Sequence, residues 1–186
     1  MTEFNYSIDS DGVAIISWDV PNKNMNVMSL EGLTELDNLF DQALLDEQVK
    51  GIILTSGKSD FAGGMDLNVL ADMKTSQGDN PAQGIFNGVM QIHKLLRKIE
   101  LAGMDFKTKK GAKPVAAAIT GTAAGIGLEL PLACHRIFAV DNKNANFSRS
   151  WWSNSFSSKA WCYECSTIPI GGEITLTVKN ENSRNY

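Results

Sequence analysis

An α/β fold with a mostly parallel sheet is predicted for this chain on three observations. Residues 51–56 (GIILTS) and 114–120 (PVAAAIT) are short apolar runs that read as buried strands. Stretches with apolar residues at helical spacing lie before the first run and between the two. Each run is followed at once by glycine, and each glycine-bearing turn opens onto a further helical pattern. Strand, helix and strand in that order imply a right-handed crossover between parallel neighbours.

The elements follow in order. Residues 4–19 (FNYSIDSDGVAIISWD) alternate apolar and polar around Ser10-Asp11-Gly12, which is a hairpin signal. Residues 21–26 form an asparagine-rich loop carrying Lys23 and Asn24. Ser29 is placed to cap a helix over residues 30–47, with Leu33, Leu36, Phe40 and Leu44 on one face. After the strand at 51–56 comes the turn GKSDFAGGMDL and a short helical pattern through Met73. Residues 77–83 (QGDNPAQ) are a polar loop, and residues 85–101 are a helix with a stripe through Val89, Ile92, Leu96 and Ile99. That stripe reads as core or subunit contact. A basic, glycine-bearing connection over 104–113 delivers the chain to the strand at 114–120. Gly121, Gly125 and Gly127 then break it before a helix over 128–135 and a last strand over 136–140, ending at Asp141.

Composition bounds the function. The 186 residues, 43% hydrophobic and 20% charged, suffice for one domain with a real core. A net charge of −4 argues against a nucleic-acid or anionic-membrane surface, and Lys107-Thr108-Lys109-Lys110 is too short a basic cluster to change that. The first residues, MTEFNYSIDSDG, lack a leader pattern and no apolar run approaches membrane-spanning length, so the expected location is the cytoplasm. Cys134, Cys162 and Cys165 make no disulfide framework, and the CxxC spacing of the last two has no second pair to make a metal site. His93 and His135 stand alone, as surface or internally satisfied residues. No metal is expected.

The chemistry concentrates at the two glycine turns. A strand that turns into a helix through glycine leaves backbone N–H groups unpaired, and these can close on an oxygen carrying negative charge. If the turns at Gly63-Gly64-Met65 and Gly125-Ile126-Gly127 face each other, each can offer one N–H to a single carbonyl oxygen. Glu129 stands in the otherwise apolar helix start that follows the second turn. These residues resemble the crotonase, or enoyl-CoA hydratase, superfamily. Phe61, Gly64, Asp66 and Leu67 match its F-x-x-G-x-D-[IL] motif, and Gly121, Ala123, Gly125, Gly127, Glu129 and Leu130 match G-x-A-x-G-x-G-x-E-L. The wording GIGLEL, HRIFA and IHKLLRKIE is most similar to the hydratase half of the fatty-acid oxidation complex α-subunit. The resemblance runs from about residue 4 to residue 145.

Several expectations follow from the resemblance. The fold is a crotonase-like spiral of repeated β-β-α turns, here incomplete at the C-terminus, with a partial hydratase domain over 1–145 and a divergent tail over 146–186. The ligand is an acyl-CoA or enoyl-CoA thioester, with no further cofactor. The amides of Met65 and Ile126 hold the thioester oxygen. Gly64, Asp66, Gly125, Gly127, Lys23 and Asn24 line the substrate, although Asp66 also reads as a helix-start carboxylate favoured by the helix dipole. Glu129 is one of two glutamates that act as acid and base on the added water. The second belongs to an L-P-E-[IL] segment expected after residue 145, where this chain reads NFSRSWW. Codon degeneracy lets residues 160–172 overlap, one base later, a peptide resembling the family's continuation, so a reading-frame change is the expected origin of the tail. Weak or absent hydration is expected, and the trimer usual in the family is in doubt. The alternatives are an inactive CoA-thioester binder or truncation product and, more weakly, a dinucleotide site ending at Asp141. The glycine order G-x-x-x-G-x-G runs against the dinucleotide fingerprint.

Overall fold

The computed structural model describes residues 2–69, 81–141 and 145–148. β1 (Phe4–Ile8) and β2 (Val13–Trp18) form the expected antiparallel hairpin, with Phe4 opposite Trp18. Gly12 turns it at φ +82°, and the Asp9 carboxylate accepts the Asp11 and Val13 amides. α1 (Leu30–Leu45) begins at Ser29, whose Oγ accepts the Gly32 N–H at 2.8 Å. It stops two residues before the expected end because Asp46 turns extended and its side chain takes the Gln48 amide. Ala43 is buried in the stripe, whereas Leu44 is only partly so.

β3 (Gly51–Ser56) pairs parallel with β2, and β4 (Val115–Ile119) pairs parallel with β3. Between them runs α2 (Pro81–Leu101), which starts earlier than expected. Proline is pre-organised for a first helical position, so residues 81–83 are helix where a polar loop was expected. The buried line on α2 is Gly84, Gly88, Leu95 and Ile99, with Ile92 and Leu96 partly covered. Val89, expected in the stripe, is 40% exposed. β5 (Ala123–Ala124) leads into α3 (Ile126–Ala133), which begins two residues before the expected start because Gly125 itself is the cap. β6 (Arg136–Ala139) then pairs parallel with β4, and β7 (Phe147–Ser148) pairs with β5.

The five-stranded sheet has the order β1-β2-β3-β4-β6 and is parallel apart from β1. A helix that returns the chain to a parallel neighbour runs opposite to the strands, so the glycine turns and the start of α3 sit at the carboxyl edge of the sheet, where α/β proteins place ligands. The ring nitrogen Nδ1 of His135 accepts the Val115 N–H at 3.0 Å, and Nε2 lies 3.0 Å from the Glu100 carbonyl, so His135 is internally satisfied and ties the ends of α2 and α3 together. The core is formed by Trp18, Phe40, Leu54, Phe61, Leu128 and Leu130, with Trp18 stacked on Phe4 and edge-on to Phe61. Among the described residues no helix is long and apolar enough to cross a membrane. The predicted helical pattern through Met73 begins as helix at residues 67–69; its remainder, the CxxC pair and the tail beyond Ser148 lie outside the described residues.

Candidate functional site

The first glycine turn runs as a nearly extended segment between two others. On one side the Gly63 N–H donates to the Asn26 carbonyl at 2.8 Å, the Met28 N–H donates to the Gly64 carbonyl at 2.8 Å, and the Asp66 N–H donates to the Met28 carbonyl at 2.9 Å. On the other side the Phe61 and Ala62 amides donate to the Thr122 carbonyl, and the Ala124 N–H donates to the Ala62 carbonyl at 2.9 Å. Because residues 64 and 66 spend their groups on Met28, the alternation of an extended chain turns the Met65 N–H away from Met28. Gly64 has φ +104°, a conformation costly for any side-chain-bearing residue.

The second turn lies directly against the first. A methyl group on Gly64 would stand 3.2 Å from the Ala124 carbonyl oxygen and 3.9 Å from the Gly125 Cα, and one on Gly125 would stand 3.7 Å from the Gly64 Cα. On Gly127 it would fall 2.6 Å from the Ala62 Cβ, closer than real side chains approach. Glycine at 64, 125 and 127 therefore permits two backbones to touch. Gly125, at φ +53° and ψ −128°, caps α3, and its carbonyl accepts the Leu128 and Glu129 amides. Among the described residues, the N–H groups of Met65 and Ile126 have no acceptor. The start of a helix carries partial positive charge, so an anionic oxygen is favoured there.

Of the predicted site residues, the structure gathers Gly64, Met65, Asp66, Gly125, Ile126 and Gly127 at this contact. Glu129 is half-buried and stands three residues into α3 from Ile126, about 4.5 Å along the axis. Helical side chains lean toward the N-terminus, back toward the turn. Lys23 reaches the site through its ion pair with Asp66, Nζ to Oδ2 at 2.8 Å, and Asp66 also accepts the Asn68 amide. These bonds, the one from Lys23 first, hold the Asp66 carboxyl below its ordinary pKa. Asn24 is exposed on the same loop, with no hydrogen bond to the gathered residues. Cys134 is buried, which pushes its thiol pKa up and keeps it protonated. Among the described residues no cluster of His, Cys, Asp and Glu has the makings of a metal site.

Two supporting residues were not singled out from the sequence. The Asn26 side chain is fully buried. Its Oδ1 accepts the Val20 N–H at 2.9 Å, and its Nδ2 faces the Trp18 carbonyl, Ser56 Oγ and the Phe61 carbonyl at 2.9–3.0 Å. Asp60 accepts the Thr122 N–H through Oδ1 at 2.8 Å, bracing the second turn from the first. In the sequence Asn26 is one of three asparagines in a loop, and nothing local separates it from Asn22 and Asn24.

Comparison with known proteins places the fold. The family model described as enoyl-CoA hydratase/isomerase matches residues 9–171. The chain is 34% identical over 142 residues to the fatty acid oxidation complex subunit alpha of Shewanella oneidensis, covering 75% of this chain and 18% of that protein, and the same values hold for the Shewanella sp. MR-4 protein. Among solved structures, an enoyl CoA hydratase/isomerase (crotonase) from Legionella pneumophila superposes with TM-score 0.65 at 23% identity, over 79% of this chain and 50% of that one. The enoyl-CoA hydratase of Bacillus anthracis gives TM-score 0.62 at 28% identity, over 78% and 50%. The expected crotonase-like architecture is the one observed. The chain spans about half the length of these solved structures and under a fifth of the curated relatives.

Proposed function

Because the chain belongs to the enoyl-CoA hydratase/isomerase family, we propose that it binds acyl thioesters of coenzyme A and promotes, at reduced rate, the addition of water to a 2-enoyl-CoA in fatty-acid β-oxidation. The observation that carries this reading is the contact of the Gly64 and Gly125 backbones beside two acceptor-less amides. The thioester oxygen takes the N–H groups of Met65 and Ile126. Negative charge grows on that oxygen when water attacks C3 of the conjugated double bond, so donors fixed there stabilise the transition state more than the substrate. One such donor is worth about 2.7–4 kcal/mol in a known oxyanion hole. Glu129 takes a proton from the attacking water, and a proton returned to C2 completes the addition. Gly64, Gly125 and Gly127 leave room for the ligand, and Lys23, Asn24 and Asp66 border it.

No other cofactor enters this reading, and the site of action is the cytoplasm. The family's second glutamate belongs after residue 145, where this chain reads NFSRSWW. Loss of one acid–base group lowers turnover by about 10²–10⁴-fold. That same segment favours the second reading, a thioester binder without turnover.

Calorimetric titration with crotonyl-CoA, CoA and NAD, followed by an assay for loss of enone absorbance, separates the readings. Binding of crotonyl-CoA with slow hydration, abolished in Glu129→Gln at nearly unchanged affinity, supports the enzyme. Thioester binding without hydration supports the inactive binder. Binding of NAD but not of thioester refutes both.

A further inference from the structure

The amide pair proposed to hold the thioester oxygen is only as good as the spacing between two turns that lie sixty residues apart in the chain. Besides the backbone bonds from Phe61, Ala62 and Ala124, a continuous hydrogen-bonded chain through three side chains joins the two turns. Asn26 Nδ2 donates to Ser56 Oγ at 3.0 Å, Ser56 Oγ donates to the Asp60 carbonyl at 2.8 Å, and Asp60 Oδ1 accepts the Thr122 N–H at 2.8 Å. The serine is fully used, since its oxygen also accepts the Lys58 amide at 3.0 Å. At its start the chain branches. Asn26 also binds the Phe61 carbonyl, and its own carbonyl takes the Gly63 N–H, so the entry to the first turn is held twice by one residue. The chain starts buried and ends partly covered: Asn26 is 0% exposed and Ser56 8%, with Asp60 and Thr122 half-buried.

Only an amide side chain fits this place. Oδ1 must accept from Val20 while the two hydrogens of Nδ2 are shared among the Trp18 and Phe61 carbonyls and Ser56 Oγ. Aspartate keeps the acceptor and loses both donors, setting a carboxylate against two carbonyl oxygens. An apolar residue of the same size leaves buried carbonyls and an amide unpaired.

We propose that Asn26, acting through Ser56 and Asp60, is a positioning residue that fixes the Met65 amide relative to the Ile126 amide. The proposal rests on the reading of the site given above. It assigns Asn26 no contact with substrate. Its loss lets the first turn move as a unit against the second, so carbonyl polarisation suffers while the hold on the rest of the ligand survives.

The test uses the full chain and two variants, Asn26→Asp and the milder Ser56→Ala, which breaks one link and leaves Asn26 its other partners. Crotonyl-CoA with a ¹³C-labelled thioester carbonyl is bound to each, and the carbonyl stretch is read by infrared difference spectroscopy. Amide hydrogen exchange is measured on the same proteins without ligand. In the wild type the stretch moves to lower frequency on binding. In both variants at least half of that movement is lost and affinity for CoA lacking the acyl group stays within twofold. Exchange at residues 61–66 rises about tenfold or more, while Ile16 and Leu54 in the sheet keep their wild-type protection. Folded variants that retain the full carbonyl shift overturn the positioning role alone. A wild type that binds thioester with no carbonyl shift, or does not bind it, overturns the site reading and this proposal together. Should Asn26→Asp fail to fold, Ser56→Ala decides the outcome.

Discussion

Alanine at Gly125 would have to adopt φ +53° with ψ −128°, a backbone region that side-chain-bearing residues avoid. Gly125→Ala is therefore expected to cost about 1–3 kcal/mol and to weaken thioester binding as the turn relaxes. Denaturant titration beside calorimetry checks both. Gly127→Ala acts differently. Its new methyl meets Ala62 at 2.6 Å, so the two turns are driven apart, and the overpacking costs about 1–3 kcal/mol with ordinary helical backbone retained. At this scale the meeting of the two glycine turns was legible in the sequence, because the physics that demands the glycines is local: a strand end, a turn and a helix start within one short stretch. Asn26 was not. Its importance comes from partners at 18, 20, 56 and 61, and no local pattern marks a residue whose neighbours arrive from other elements.

Among the elements, α2 is where periodicity misled. The stripe read through Val89 and Ile99 ignored Leu95, which is 1% exposed. Gly84 and Gly88 carry the buried line toward the N-terminal end, and glycine gives no hydrophobic signal. Truncating Leu95→Ala is expected to destabilise by about 2–5 kcal/mol, whereas Val89→Ala changes stability by about 0.5 kcal/mol or less, both read from urea midpoints. Strands β3 and β4 were placed almost to the residue, since short apolar runs ended by glycine have few other uses. The end of α1 was missed by two residues because the Asp46 side chain bonds the Gln48 amide and ends the helix there. Ser29→Ala removes the cap at the other end. About 0.5–2 kcal/mol should go with it, with the Glu3 carboxylate losing its 2.6 Å bond from the Ser29 hydroxyl.

In the whole molecule, the loop at 21–26 is fastened to the first turn by Lys23 and Asp66, and the pH dependence of that fastening has a definite sign. The folded carboxyl titrates below its unfolded value near 3.9. Its stabilising contribution is thus fully present above about pH 4 and is lost as pH falls through the folded pKa. Thermal midpoints should stay level from pH 5 to 8 as far as this pair is concerned and drop more steeply below pH 4 in the wild type than in Asp66→Asn. Fold class was readable because two motifs in the right order specify one architecture. The pairing of β5 with β7 was not, since two-residue strands carry no pattern. The proposed function requires two backbone amides from distant stretches to share one oxygen. Titrating ¹⁵N-labelled protein with crotonyl-CoA and, separately, with CoA measures this most directly. The Met65 and Ile126 amide protons should both move downfield with the thioester and not with CoA, whereas bound thioester that leaves either resonance in place would contradict it.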